Sequence, residues 1–146
     1  MITVSQLLRS RELNDLWTIE PAATVQQALE LMADKEVGAL PVVERGQLVG
    51  IFSERDFART AIEGDCLGLR VSDLMTRDVI TISPEQGLDE CMALVTDERI
   101  RHLPVLDHGT LIGLVSIGDI VKTIIDMQTS TINQLENYIL GEVYGQ

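Results

Sequence analysis

Two short stretches carry the residue types best suited to holding a ligand. Ser53 and Asp56 in "GIFSERD", and Ser116 and Asp119 in "GLVSIGD", repeat a Gly-x-x-Ser-x-x-Asp spacing 63 residues apart. In each, an apolar run ends near the serine and a helical pattern begins. A serine followed three residues later by an acid matches a capping box, in which the two side chains satisfy the first free N–H groups of a helix. Such a cap contributes about 1 kcal/mol and involves no ligand. The same geometry offers a second chemistry. A helix start at the end of a strand turns N–H groups and dipole toward an anion, and a carboxylate at the third helical position can accept two hydrogen bonds from a vicinal diol. Hydrogen bonds to a charged group are worth about 1.5–3 kcal/mol. Gly50 and Gly113 lie inside apolar strands, where glycine is unfavourable unless something approaches the backbone closely. Plain capping and ribose-phosphate binding stand side by side at this level.

These stretches belong to a longer repeat. Residues 16–62 overlay residues 79–125 without a gap, with 15 of 47 positions identical, which makes the repeat the organising unit. The identities gather at Thr18, Ile19 and Pro21 with Thr81, Ile82 and Pro84, then at Leu40–Val42 with Leu103–Val105, and at the two Gly-x-x-Ser-x-x-Asp stretches. A lead-in element, "VSQLL" and "VSDLM", is repeated as well, four residues out of that register.

Each unit predicts β-α-β-β-α. "WTI" and "VITI" are short β-rich runs closed by proline. Val25, Ala28, Leu29 and Met32 fall at helical spacing, as do Leu88, Cys91, Met92 and Val95. Thr24 suits an N-cap. Two nearly continuous apolar strands follow, joined by "ERGQ" or "DHGT", where glycine suits a primed hairpin turn. The expected fold is mixed α+β: two repeats packed sheet on sheet as an intertwined pair with pseudo-two-fold symmetry. The expected boundaries are residues 1–64, 65–126 and a C-terminal helical tail, 127–146. In that tail Ile132, Leu135, Ile139 and Leu140 share a face, and Gly141 is a candidate C-cap.

Composition narrows the function. The chain carries a net charge of −12 with 45% hydrophobic and 3% aromatic residues, so its core is built from Leu, Val, Ile, Ala and Met. An acidic surface repels phosphate backbones, which argues against nucleic acid as a partner. No signal peptide or bilayer-length apolar run is visible, so no membrane association and a cytoplasmic location are expected. Cys66 and Cys91 form no C-x-x-C pair, and Cys91 reads as a small core residue. His108 sits at a predicted hairpin tip in solvent. No G-x-G-x-x-G or Walker loop and no base–orienter pair accompany the serines, so enzyme activity and catalytic residues are not expected. Carboxylates for Mg²⁺ bridged to phosphate cannot be placed from sequence.

The doubled "T-I-x-P … LPV … G-x-L-x-G-x-x-S-x-x-D" pattern resembles a pair of CBS (cystathionine β-synthase) domains, the Bateman module, over about residues 1–126. "ECMALVTDERIRHLPVLDHGTLIGLVSIGD" with "INQLENYI" further resembles small stand-alone bacterial CBS-pair proteins. The resemblance implies a regulatory module that binds adenosine-containing ligands, foremost AMP, ADP or ATP, with NAD or S-adenosylmethionine as further candidates. It also implies a homodimer, and a module that senses nucleotide (energy) state and signals to a partner protein.

Carried over by position, a first site would comprise Thr18 and Ile19 at the adenine, with Pro21 beside them, and Ala39, Leu40, Pro41 and Val42 as an apolar wall. Ser53 and Arg55 would lie near phosphate, with Asp56 on the ribose. A second site would comprise Thr81, Ile82 and Pro84, then Arg101, His102, Leu103, Pro104 and Val105, then Ser116 and Asp119. The sites differ because Arg101 and His102 stand where the first repeat has Gly38 and Ala39. Arg101 offers a planar fork for phosphate; His102 either donates to phosphate or edges its strand. Arg59 and Lys122 either reach phosphate or are solvated. The second site is therefore expected to bind phosphorylated adenosine more tightly. Two rivals remain: a ligand-independent dimeric scaffold whose serines and aspartates only cap helices, and an NAD(H)-responsive adaptor.

Overall fold

Side chains set the helix starts. In the computed structural model, which describes residues 1–11 and 16–143, Thr3 caps α1 (Val4–Ser10) and Thr24 caps α2 (Val25–Lys35). Each is completed as a capping box by a glutamine three residues on. Helix α2 buries Val25, Ala28 and Met32 of the stripe expected from sequence, with its fourth member Leu29 partly buried against the same core. Strands β1 (Ala39–Glu44) and β2 (Gln47–Ser53) pair antiparallel. Their turn residues Arg45 and Gly46 have φ of 51° and 76°, as a primed turn requires. Helices α3 (Glu54–Ala61), α4 (Val71–Leu74) and α5 (Leu88–Asp97) follow, then strands β3 (His102–Asp107) and β4 (Thr110–Ser116) and helix α6 (Ile117–Val143). The second hairpin repeats the first, with His108 and Gly109 at φ 50° and 82°. In both hairpins the register slips just before the strand glycine, between Val42 and Val43 and between Val105 and Leu106.

The leading strand of each repeat is shorter than the sequence implies. It shrinks to a single parallel bridge, Ile19 with Val42 and Ile82 with Val105. Ile19 N–H donates to the Pro41 carbonyl at 3.1 Å, and Val43 N–H donates to the Ile19 carbonyl at 2.9 Å. Pro41 and Pro104 have no N–H to extend the ladder, and Pro21 and Pro84 arrive two residues later.

The intertwining has a definite form: the lead-in helices are exchanged. Val4 and Leu7 of α1 pack with Leu88, Val105, Val115 and Ile120 of the second repeat. Val71 and Met75, at α4, pack with Val25, Leu40 and Phe52 of the first. Backbone bonds fix the exchange, from Val4 N–H to the Gln86 carbonyl at 2.9 Å and from Val71 N–H to the Ala23 carbonyl at 2.8 Å. The two sheets meet through β2 and β4. This exchange also accounts for the strand glycines. A Cβ on Gly50 would lie 2.7 Å from Met75 Sδ and 2.9 Å from the Thr76 carbonyl oxygen, and one on Gly113 would lie 3.0 Å from Leu8 Cδ2. The close approach anticipated from sequence is made by the chain's own lead-in segments.

The tail expected at 127–146 is no separate element, because α6 runs unbroken from Ile117 to Val143. Gly141 lies inside it rather than past its end, since nothing breaks the helical pattern between Asp126 and Val143. Residues 144–146 of that expected tail lie outside the described residues. Among the described residues, no helix is long and apolar enough to cross a membrane. Cys66 and Cys91 are free and buried.

Candidate ligand site between the repeats

Both capping boxes form in full. Asp56 Oδ2 accepts from the Ser53 N–H at 2.9 Å and from its hydroxyl at 3.0 Å. Asp119 Oδ2 accepts from the Ser116 N–H at 2.8 Å, while the Asp119 N–H donates to Ser116 Oγ at 3.1 Å. The two carboxylates part company in their further partners. Thr76 Oγ1 donates to Asp56 Oδ1 at 3.3 Å. Asp119 instead receives a cation: Arg11 Nη2 donates to its Oδ2 at 2.5 Å, and Arg11 Nη1 donates to the Leu114 carbonyl at 3.0 Å. Arg11 lies just past α1, brought there by the helix exchange.

A cavity of about 930 Å³ opens at this point, within the size range of small-molecule sites. One wall comes from the first repeat, with Trp17, Val37, Gly38 and Ala39; the facing wall comes from the second, with His102, Ser116, Asp119 and Lys122. A Cβ on Gly38 would come within 3.6 Å of His102 Nε2, which shows how closely the starts of β1 and β3 approach. The cavity therefore crosses the grouping drawn from sequence, joining Ala39 of the first expected set to His102, Ser116 and Asp119 of the second. Each repeat keeps its own strand beside its own helix start, Ala39 opposite Ser53 and His102 opposite Ser116, and the facing of the two repeats brings Ala39 to the second helix start as well.

The charges around the cavity are mixed. Arg11 and Lys122 oppose Glu36, Asp119 and Asp126. Burial pushes the His102 pKa below its ordinary value and Arg101 adds to that, outweighing the opposing pull of Asp119 and Glu54. This favours the neutral imidazole, in which one nitrogen donates and the other accepts. Trp17 is held by Lys35, whose Nζ lies 4.2 Å from the ring centroid.

The remaining expected site residues lie elsewhere. Leu40, Val42, Ile82, Leu103 and Val105 point into the two cores, so their side chains build the strands that flank the cavity and do not face it. Pro41 and Pro104 are buried within β1 and β3. Ile19 serves as a backbone bridge, flanked by Thr18, and Thr81 flanks Ile82 likewise. The Pro21 carbonyl accepts from the Ser72 N–H at 3.0 Å. Pro84 lines a smaller cavity of about 350 Å³ beside Leu8 and Gly113. Arg55 Nη1 donates to the Arg99 carbonyl at 3.2 Å. Arg101 is exposed and outside the cavity wall, though its carbonyl accepts the first N–H of α6 at 2.9 Å. Neither cavity includes Ser53 or Asp56. Sequence reasoning missed Arg11 altogether and took Trp17 only as a strand residue. Among the described residues, no cluster of three or more His, Cys, Asp or Glu side chains is placed to hold a metal ion.

With this geometry in view, comparison with known proteins defines the class. The CBS domain family profile matches residues 2–63 and 71–126. The chain belongs to the CBS domain family and is a CBS-pair regulatory module. It is 40% identical over 125 residues to the mitochondrial CBS domain-containing protein CBSX3 of Arabidopsis thaliana; that match covers 81% of this chain and 61% of CBSX3. The chain thus spans less than two thirds of that relative. A solved CBS-domain protein from Burkholderia ambifaria superposes with TM-score 0.81 and 45% identity, covering 85% of this chain and 94% of that one. CBSX2, solved in complex with AMP, superposes with TM-score 0.72 and 29% identity over 88% of this chain and 99% of its own.

Proposed function

We propose that the chain senses adenosine-containing ligands, with the inter-repeat cavity as its principal site and an adenine nucleotide as the ligand. One observation carries this reading. The cavity brings Asp119 and Ser116 at the start of α6 opposite the apolar residues Val37 and Ala39 and the Trp17 ring. A carboxylate for a ribose diol, a helix start for an anion and an apolar face for a base are thus gathered in one space. CBSX2, with AMP bound, supports the ligand class. Asp56 lies outside this cavity while Asp119 lines it, which supports the expected inequality of the two sites. Binding favours one arrangement of the repeats over another by its differential affinity, and a partner protein reads that arrangement.

The sensor works as a homodimer. Ile125, Ile132 and Ile139 recur every seven residues along α6, with Val121 and Leu135 at the companion positions, and all are 40–57% exposed. β-Branched isoleucine at one seam position, with Val121 and Leu135 at the other, suits a two-stranded pairing of like helices. A second copy of this chain is the matching occupant.

A ligand-independent scaffold retains one supporting observation, the completeness of both capping boxes. Thermal shift separates the two readings. AMP at 100 times its Kd should stabilise the protein by about 2.7 kcal/mol, and at the same concentration Asp119→Ala should respond by about 1.4 kcal/mol or less. Silence toward AMP, ADP, ATP, NAD and S-adenosylmethionine alike would favour the scaffold, and preference for NADH over AMP would favour a redox adaptor.

A further inference from the structure

Among the described residues the Arg11–Asp119 pair has no counterpart in the first repeat, where the equivalent carboxylate meets the neutral Thr76 hydroxyl. The first connection is four residues longer than the second, and from it the Arg11 guanidinium reaches across 108 positions of sequence to Asp119. Two arms of its fork are engaged, one terminal nitrogen on the carboxylate and the other on the Leu114 carbonyl. The side chains of Arg11 and Asp119 are only 25% and 39% exposed, so solvent screens the pair less than it would a surface bridge.

Resting on the nucleotide reading above, we propose that Arg11 is the specificity-determining residue of the cavity: it makes the site select phosphorylated nucleosides and reject free nucleosides. A ribose diol seeking Asp119 must share or displace the guanidinium. A free nucleoside exchanges an ion pair for two neutral hydroxyls and leaves a cation with a single carbonyl partner. A phosphomonoester carries its own replacement, because phosphate accepts the guanidinium fork through two parallel hydrogen bonds. Lys122, one turn along α6 from Asp119 and lining the same cavity, adds a second cation on that side. Arg11 thus holds the carboxylate when the cavity lacks phosphate and moves to the phosphate when one arrives. The discrimination comes from a charge that must be re-partnered, a stronger filter than the fit of the base.

The test is the ratio of dissociation constants for adenosine and AMP, read by calorimetry and by fluorescence of Trp17, the sole tryptophan. The wild-type protein should prefer AMP. Arg11→Gln should shrink the ratio by about tenfold or more, tightening adenosine while weakening AMP, as expected for loss of one charge-assisted contact. Arg11→Lys keeps the charge but not the fork and should fall between them. An unchanged ratio in Arg11→Gln, or equal weakening of both ligands, would overturn the proposal and leave Arg11 a structural residue. A wild-type protein that binds neither compound refutes the nucleotide reading itself, a result distinct from binding with an unmoved ratio.

Discussion

Alanine at the two strand glycines tests whether the lead-in helices really cross between repeats. In a strand, replacing glycine by alanine gains about 0.5–1 kcal/mol when the added methyl has room. At Gly50 it has none. The new Cβ would lie 2.7 Å from Met75 Sδ and 2.9 Å from the Thr76 carbonyl oxygen, against about 3.5–4.0 Å for a relaxed carbon contact. That carbonyl cannot retreat cheaply, since it accepts the Ile51 N–H at 3.0 Å. Overpacking of this kind costs about 1–3 kcal/mol, leaving a net loss of about 1–2 kcal/mol. At Gly113 the nearest neighbours are all Leu8 side-chain atoms, at 3.0 Å and beyond, on a half-buried residue that can change rotamer. There the clash and the gain nearly cancel. Urea unfolding should rank Gly50→Ala clearly below wild type and Gly113→Ala within about 0.5 kcal/mol of it, and at this chain size Gly50→Ala should lower Tm by about 2–8 °C. Equal losses at both positions, or a stabilised Gly50→Ala, would refute the crossing as drawn.

The other expectations concern thiols, protons and assembly. Burial above all, then the charges of Glu90 and Asp89, holds the Cys91 thiol above its ordinary pKa, so a thiol reagent should label it only at the rate of unfolding; rapid labelling of the native protein contradicts this. His102, with its pKa depressed in the fold below 6.5, binds fewer protons folded than unfolded. Its contribution is present above the unfolded pKa and lost as pH falls through 6.5 toward the folded value. Wild type should therefore lose more stability between pH 8 and pH 5.5 than His102→Gln, and parallel curves would contradict the assignment. Ile132→Asp with Ile139→Asp alters two residues more than half exposed and should halve the mass in solution without lowering Tm of the repeats. A dimer that survives both changes places the interface elsewhere.

Much of the fold can be read locally because its signals are local. Arg45–Gly46 and His108–Gly109 sit within the turns they make, Thr24 and the two serines cap helices a few residues away, and Val25, Ala28 and Met32 form their stripe within two turns. The site is harder to read because its parts are distant. Arg11 closes a contact over 108 positions. The exchange of α1 and α4 leaves no trace in hydrophobic periodicity, since "VSQLL" and "VSDLM" carry the same apolar pattern. Once the exchange is unknown, each Gly-x-x-Ser-x-x-Asp is assigned to the strands of its own repeat, and Ala39 is kept apart from Asp119. The continuity of α6 was hidden by a change of composition after Asp126 that alters exposure but not backbone preference.

The central claim is that a nucleotide lies in the inter-repeat cavity with its ribose on Asp119. Calorimetric titration of AMP into wild type and Asp119→Ala, well below the unfolding temperature of either, measures it directly. Loss of hydrogen bonds to a charged acceptor at about 1.5–3 kcal/mol predicts at least a tenfold weaker Kd in Asp119→Ala, whereas equal affinity in the two proteins would mean that the ligand, wherever it binds, does not bind there.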